Sequence, residues 1–518
     1  MTSIGPYSAS GVGRPSLMKA LSDLNSQLDD LTTQLASGKK STSYAGLGDG
    51  AATSLAMRSR LASIAAYTAT NTTVNTRVSM MNTTLARLDD LAAEYKLTDA
   101  NDFTLTSGSV TIGQSQAAVD LKEAIAALNL DVGGRYAFSG RSTDVKPVIS
   151  AEAMLADDGT KAGLRTVIAE RKLADLGADG RGRLTVSDAS GGSFSVSETG
   201  AGPFGFKISS LSSDMTNGVA TGPTGTPPSI TLGFTGQPSG GQQMRVGLTL
   251  PDGTTTEITL TAQAADGTAA LNEGEFRIGA TAEETAANMQ AAFDAALKTT
   301  ASTDLTAASA MQAGEDFFNV ASGAEPARVA GFDGSYATDA ERIAALQSAT
   351  SLDTTGTKDK TVSWYVGDDA GDDPRKTSAA QIDDGVSVAY GARANETGPR
   401  LVVQTLAVFS SMTFSADDED AQARYSALAS RVSSTLGDAK TTSAIQTMSV
   451  DLASTSTAIK AATTRQGVAK DMASDAISGV ENASKEEVAA KILALQTQLQ
   501  ASYQVTASLS QLTLVNFL

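Results

Sequence analysis

Hydrophobic residues near both ends of the chain recur at alternating steps of three and four positions. Near the start this ladder consists of Leu17, Leu21, Leu24, Leu28, Leu31 and Leu35. Near the end it consists of Val488, Ile492, Leu495, Leu499, Thr506 and Leu509. Such a stripe on a helix is a seam for another helix. Because chain termini usually fray, we expect the two ladders to pair with each other or with neighbouring subunits.

The final part of the chain stays apolar, with Leu509, Leu512, Leu514, Val515, Phe517 and Leu518. A monomer would expose this surface, and large exposed apolar surfaces usually mark interfaces. An intramolecular core is the alternative use of the ladders, but their position at the extreme ends favours burial between subunits. The sequence therefore predicts an assembly interface formed by both ladders together with Leu512 and Phe517.

Helical patterns continue on both sides of the chain's middle. The first ladder opens after Pro15 and closes at Gly38, which predicts a helix followed by a Gly-rich loop over 39–50. A second helix of about 45 residues follows, several times the length of an average globular helix. Its packing positions are Met57, Leu61, Ile64, Val78, Met81, Leu85 and Leu88. The phase slips between Tyr67 and Asn75, which predicts a poorly packed middle, and a further helix is expected over 116–132.

The residues from 147 to 380 have a different pattern, rich in Gly, Thr, Ala and Asp. Short alternating strands are predicted over 184–196, 229–234, 244–250, 257–260 and 361–366. One helix is expected over 281–296, where Thr281 and Glu284 have the spacing of a capping box. A strand over 386–390 closes this part. Helices are then predicted from Gly398, over 416–437, over 442–479, and again after Ser484.

This order predicts a multidomain α+β protein that is mainly α at both ends, with a central β-rich inserted domain. The expected domains are a terminal helical domain of residues 1–45 plus 476–518, a helical rod domain of residues 46–146 plus 381–475, and the insert of residues 147–380. Two flanks around an independent domain most simply pack together, so we expect long antiparallel rods in a coiled-coil-like bundle.

Composition removes several classes of chemistry. The 518 residues include no Cys and no His, which excludes Ser-His and Cys-His nucleophile pairs, histidine metal sites and disulfides. With a formal net charge of −18, the chain should repel nucleic acids and anionic membrane surfaces. We therefore expect no enzyme activity, no cofactor and no nucleic-acid partner. We also expect no membrane insertion, because the sequence contains neither a long apolar run nor the pattern of a cleavable signal.

The remaining candidate sites are better explained structurally. The glycines of 46–50 lack phosphate-loop spacing, and the acidic runs at 368–373 and 417–420 lack the spacing of a calcium-binding loop. We interpret the glycines as a turn and the acidic runs as solvated or helix-start charge. The sequence thus marks no catalytic, cofactor-binding or metal-binding residue.

Four segments in order resemble the bacterial flagellins and the related hook–filament junction protein. The first is residues 24–82, which begin LNSQLDDLTTQLASGKKSTS. Two further segments flank the insert, GRYAFSGRSTDVKPV over 134–148 and VAYGARANE over 388–396. The fourth is the terminal ladder, which closes in LTLVNFL. The resemblance covers roughly the first 150 and last 130 residues, as estimated from this ordered set of motifs.

The resemblance implies a secreted, extracellular subunit of the bacterial flagellar filament that is exported unfolded and polymerises helically for motility. The terminal ladders would form an inner tube, the longer rods a surrounding shell, and the insert would face solvent. The implied partners are further copies of the chain, flagellar junction and cap proteins, an export chaperone and the flagellar export apparatus. A single ring of junction protein is the near alternative, and a secreted adhesin or enzyme carried by the insert is the remote one.

Overall fold

The computed structural model describes residues 13–96 and 103–515, apart from the side chains of 13–15, 17, 107 and 509–515. These residues form a mixed α+β structure of twelve α-helices and fourteen strands. The helices are α1 Gly13–Ser37, α2 Gly50–Tyr95, α3 Ile112–Leu128, α4 Ala151–Leu155, α5 Leu164–Leu176, α6 Ala282–Thr300, α7 Thr306–Phe318, α8 Asp339–Ser348, α9 Thr397–Ser411, α10 Ala421–Gly437, α11 Ala439–Glu481 and α12 Lys485–Val515.

The strands lie mainly between α5 and α6. They are β1 Leu105–Ser107, β2 Val110–Thr111, β3 Leu184–Val186, β4 Ser193–Glu198, β5 Lys207–Ser213, β6 Gly218–Thr224, β7 Ser229–Phe234, β8 Gln243–Thr249, β9 Thr255–Gln263, β10 Glu275–Arg277, β11 Arg328–Val329, β12 Leu352–Asp353, β13 Ala379–Asp383 and β14 Val386–Ala389. None of the described helices is both long enough and apolar enough to cross a lipid bilayer.

The chain divides into two compact units. The first contains the chain up to Val74, residues 381–387, and the chain from Thr457 onward. The second contains residues 75–380 and 388–456. These boundaries lie within α2 and α11 and differ from the three domains expected from the sequence. The three-domain division remains a prediction.

Two four-stranded sheets form the centre of the second unit. Their strand orders are β3-β4-β7-β6 and β10-β9-β8-β5, antiparallel throughout except for the parallel pair β9 and β10. Alternate side chains of both sheets enter one core, where Val196, Leu232, Val246 and Leu260 are fully buried. Helix α6 packs against both sheets and adds Phe293 to this core, so each sheet has one covered face.

Local sequence signals explain where several helices begin and end. Gly38 takes a positive φ of 68° directly after α1 and donates its N–H to the Gln34 carbonyl, the usual glycine stop. Thr111 and Gln114 form a reciprocal capping box at the start of α3. The hydroxyl of Thr281 accepts a hydrogen bond from the Glu284 N–H at 3.2 Å at the start of α6, as its position predicts.

Several predicted elements require correction. The helix expected over 116–132 is α3 at 112–128, because the capping box at Thr111 starts it earlier and Asn129 ends it. The single strand expected over 184–196 is β3 and β4, separated by a turn that contains Gly191 and Gly192 at positive φ. Residues 361–366 make only isolated bridges, and Val366 is 43 % exposed instead of buried beside Trp364.

The central segment also contains more helix than expected. Helices α4, α5, α7 and α8 were not predicted, and α7 follows α6 through one π-helical turn at Ala301–Leu305. Ten of the thirteen residues of α7 are buried, and the other three, Gln312, Glu315 and Asp316, form a narrow polar stripe, so the helical period is marked by only three positions. The insert is therefore a mixed α/β structure.

The tight turn before β3 offers a matched test of packing. Gly180 and Gly182 both have positive φ, but a Cβ at Gly180 would meet open space whereas one at Gly182 would lie 2.3 Å from the Phe206 ring. Gly180→Ala should destabilise by about 1 kcal/mol, the cost of a left-handed backbone, and Gly182→Ala by about 2–4 kcal/mol, because overpacking is added. Urea unfolding followed by the fluorescence of Trp364 measures the difference, and equal values would contradict this account.

Candidate assembly surface of the terminal helices

Helices α1 and α12 pack along each other in the first unit, and the two ladders form their seam. The described ladder positions of α1 are all half-buried, and the polar positions between them are mostly exposed. The ladder positions are Leu21, Leu24, Leu28, Leu31 and Leu35. On α12, Val488 and Leu499 are buried, and Ile492, Leu495 and Thr506 are half-buried. The ladders thus meet within one chain, yet most of their side chains keep part of their surface exposed.

Four side chains of the predicted interface lie outside the described part of the structure. Leu17, Leu509 and Leu512 lie on α1 or α12, but their side chains are outside the described part of the structure, and Phe517 is entirely outside it. Their burial between subunits stays a prediction, as does that of the other ladder residues.

Backbone hydrogen bonds join the segment that follows α1 to the segment that precedes α12. The Lys40 N–H donates to the Glu481 carbonyl at 2.7 Å, and the Ala483 N–H donates to the Gly38 carbonyl at 3.0 Å. The Lys40 ammonium also donates to the Gly479 carbonyl at 2.8 Å. This chain-end junction, formed by residues 38–40 and 479–483, aligns the C-terminal end of α1 with the N-terminal end of α12.

The carboxylate of Glu481 lies at the centre of the chain-end junction. It accepts two hydrogen bonds from the Arg58 guanidinium, at 3.0 and 2.8 Å, and one from the Ser54 hydroxyl, and the Lys39 ammonium lies 3.8 Å away. The side chain of Glu481 is 8 % exposed. Hydrogen bonds from Arg58 and Ser54 lower the pKa of Glu481 from 4.5 to about 2, so the group is ionised at neutral pH.

The middle of α2 is packed through polar groups in the first unit. Asn71 is 1 % exposed, and its amide donates to the Gln466 side-chain oxygen at 3.1 Å and to the Ile382 carbonyl at 3.2 Å. Gln466 in turn donates to the same carbonyl at 2.6 Å. The expected poorly packed middle is therefore wrong, because hydrogen bonds across to α11 and to β13 replace apolar contacts there.

The other predicted packing positions of α2 follow a single stripe. Met57 and Leu61 are half-buried and Ile64 is buried in the first unit. In the second unit the stripe is fully buried and consists of Val78, Met81, Leu85 and Leu88. There Asn75 and Asn82 accept hydrogen bonds from Ser456 and Ser449 of α11, which shows that α2 and α11 run in opposite directions along this stripe.

Helix α12 also has three exposed apolar residues that the ladder pattern does not reveal. Leu493 is 65 % exposed, Tyr503 54 % and Val505 53 %, and all three lie off the seam with α1. No charged residue follows Lys491 in the sequence. The lack of charged residues is the feature of the sequence that could have predicted this exposure, because the solvent-facing side of a helix normally carries charges.

The acidic and glycine-rich candidates have structural partners. Asp368 and Asp372 each accept from Arg393, at 3.1 and 2.9 Å, and both also pair with Arg141; hydrogen bonds from these arginines lower the pKa of Asp372. Residues 46–50 form a turn that leads into α2. Among the described residues, no group of three or more acidic side chains is arranged to hold a metal ion.

Comparisons with known proteins identify no relative. No family model, no curated protein and no solved structure matches the chain.

Glu481 makes the chain-end junction sensitive to acid. Because the folded-state pKa of Glu481 is depressed, its contribution to stability is fully present above the unfolded value near 4.5 and is lost as the pH falls through about 2. Glu481→Gln should lower the amide-exchange protection of Lys40 and Ala483 at neutral pH and abolish the acid-dependent loss of protection at these two amides. Hydrogen exchange measured at several pH values tests this.

The matched control is Asp475→Asn, which removes the same charge from an exposed position on α11. It should leave protection of the chain-end junction unchanged. If both variants behaved alike, net charge and not the Glu481 hydrogen bonds would stabilise the junction.

Proposed function

We propose that this chain is a structural subunit that assembles with copies of itself into a helical filament through its paired terminal helices. The observation that carries the proposal is the pair of ladders, because most of their side chains stay half-buried after α1 and α12 have packed together. A continuous apolar stripe that stays partly exposed usually marks an interface. A second copy is the partner that would cover the remaining surface of the ladders.

The resemblance of four ordered segments to the flagellins supports the same proposal. By that resemblance the filament is the bacterial flagellar filament, the chain is secreted and functions outside the cell, and long antiparallel rods of α2 and α11 form a bundle around the terminal helices. A chain without Cys can be threaded unfolded through an export channel without forming bridges. Junction and cap proteins, an export chaperone and the export apparatus are the proposed partners.

Two alternatives give different assemblies. A hook–filament junction protein has the same motifs but would close into one ring. A secreted adhesin or enzyme would use the central segment and would not need self-assembly. Electron microscopy of purified protein after addition of filament seeds separates them, because the filament proposal requires elongation, whereas rings or monomers alone would contradict it.

Charges placed in the ladder should abolish elongation. The triple substitution of Leu24, Leu28 and Leu31 by Asp puts three carboxylates into the α1–α12 seam, where each loses water without gaining a partner. We expect loss of helicity in α1 and α12, at least a tenfold drop in polymer yield as an order-of-magnitude estimate from the lost apolar burial, and an unchanged fold of the second unit. Sedimentation and circular dichroism measure these effects.

The control is Ser26→Asp, which adds a carboxylate to the exposed surface of α1 that already carries Asp23, Asp29 and Asp30. It should still polymerise. Continued elongation of the triple variant would show that the ladder is not needed for assembly, whatever the control does.

A further inference from the structure

Four aromatic side chains line part of an open cavity in the second unit of an otherwise aromatic-poor chain. The rings of Phe317 and Phe318 have centroids 5.1 Å apart, those of Phe318 and Trp364 5.2 Å, and those of Trp364 and Tyr365 5.9 Å. These four residues line a cavity of about 380 Å³. Aromatic residues make up 5 % of the sequence and Trp364 is its single tryptophan, so this concentration of rings is a local feature.

The cavity opens to solvent beside exposed lining residues such as Lys358 and Asp369, so it is a surface pocket that a ligand can enter and not an interior packing void. A volume of this size falls at the lower end of the range of small-molecule sites, roughly 300–1,000 Å³. The aromatic walls therefore favour a ligand with about one ring system, for which the rings supply edge and offset contacts.

The polar groups of the aromatic walls are already satisfied. The Trp364 indole N–H donates to the Phe318 carbonyl at 3.0 Å, and the Tyr365 hydroxyl donates to the Asp368 carbonyl at 3.1 Å. The Ser363 hydroxyl donates to the Tyr365 carbonyl at 2.9 Å. These contacts hold the walls in place and leave none of the three donors for a ligand.

Three other lining side chains remain available. Within the described part of the chain, no hydrogen bond or ion pair involves the side chains of Lys358, Asp369 or Asn395, all of which line the cavity. Lys358 and Asp369 are exposed and Asn395 is half-buried, so they form a polar rim above a buried aromatic floor. The rim offers one cation, one anion and one amide, a set that matches a ligand carrying both charges.

We propose that this cavity binds a free aromatic amino acid, with the ring against the aromatic walls, the carboxylate toward Lys358 and the ammonium toward Asp369. Asn395 can both donate to the carboxylate and accept from the ammonium. The site goes beyond the proposed structural function, since every lining residue belongs to the second unit and the ladders take no part in it.

L-Phenylalanine is the probe. It contains no indole, so Trp364 remains the only tryptophan in the sample and its fluorescence reports binding. Titration of the full chain should change Trp364 emission saturably, and calorimetry should give the same dissociation constant. L-Alanine, which lacks the ring, should not bind, and phenethylamine and 3-phenylpropanoate, which each lack one charged group, should bind more weakly. Lack of saturation with L-phenylalanine, or equal binding of L-alanine, would overturn the proposal.

Variants test the assigned contacts. Lys358→Met and Asp369→Asn should each weaken binding about fivefold or more, in the range measured for single charged hydrogen bonds, while Lys122→Met on α3 should leave it unchanged. Ala324→Phe adds a ring at an exposed lining position and should abolish binding with unchanged circular dichroism. Unaltered affinity in the two rim variants, or in Ala324→Phe, would contradict this site.

Discussion

The chain-end junction depends on one desolvated carboxylate. Glu481 lies where α11 ends, and the groups it binds, Ser54 and Arg58, lie near the start of α2. Removing a carboxylate from water is costly unless several donors replace it, and here a guanidinium and a hydroxyl do so. The backbone bonds of Lys40 and Ala483 then align α1 with α12, so the register of the ladders follows from a contact between residues more than 400 positions apart.

The helix pair α2 and α11 solves a related problem with neutral groups. An apolar seam permits sliding, because one hydrophobic side chain can replace another at a small cost, whereas a buried amide must keep its partners. The side-chain N–H groups of Asn71 and Gln466 both donate to the Ile382 carbonyl and form such a set, whereas the Asn71 side-chain oxygen has no hydrogen-bond partner among the described residues. The Thr- and Asn-rich middle of α2 therefore selects one register, at a place where the sequence pattern alone indicates only weak packing.

The long helices were predictable because their heptads are local and regular, and α1 and α2 begin and end within a few residues of the expected positions. Helix α5, which was not predicted, contains buried charged residues. In α5, Glu170 and Arg171 look like surface residues, yet Glu170 pairs with Arg328 and Arg171 with Asp316 in the interior. Such pairs come from distant segments and leave no periodic signal. The exposed surface of α12 was missed because it consists of scattered residues, not a ladder.

The distribution of charge along the chain is compatible with the proposed self-association. A net charge of −18 opposes the approach of two copies at low ionic strength. In the first unit the carboxylates of α1, Asp23, Asp29 and Asp30, are exposed away from its ladder, and α12 has no charge beyond Lys491. Repulsion is thus weakest at the uncharged part of α12, which is also where burial of apolar surface would gain most.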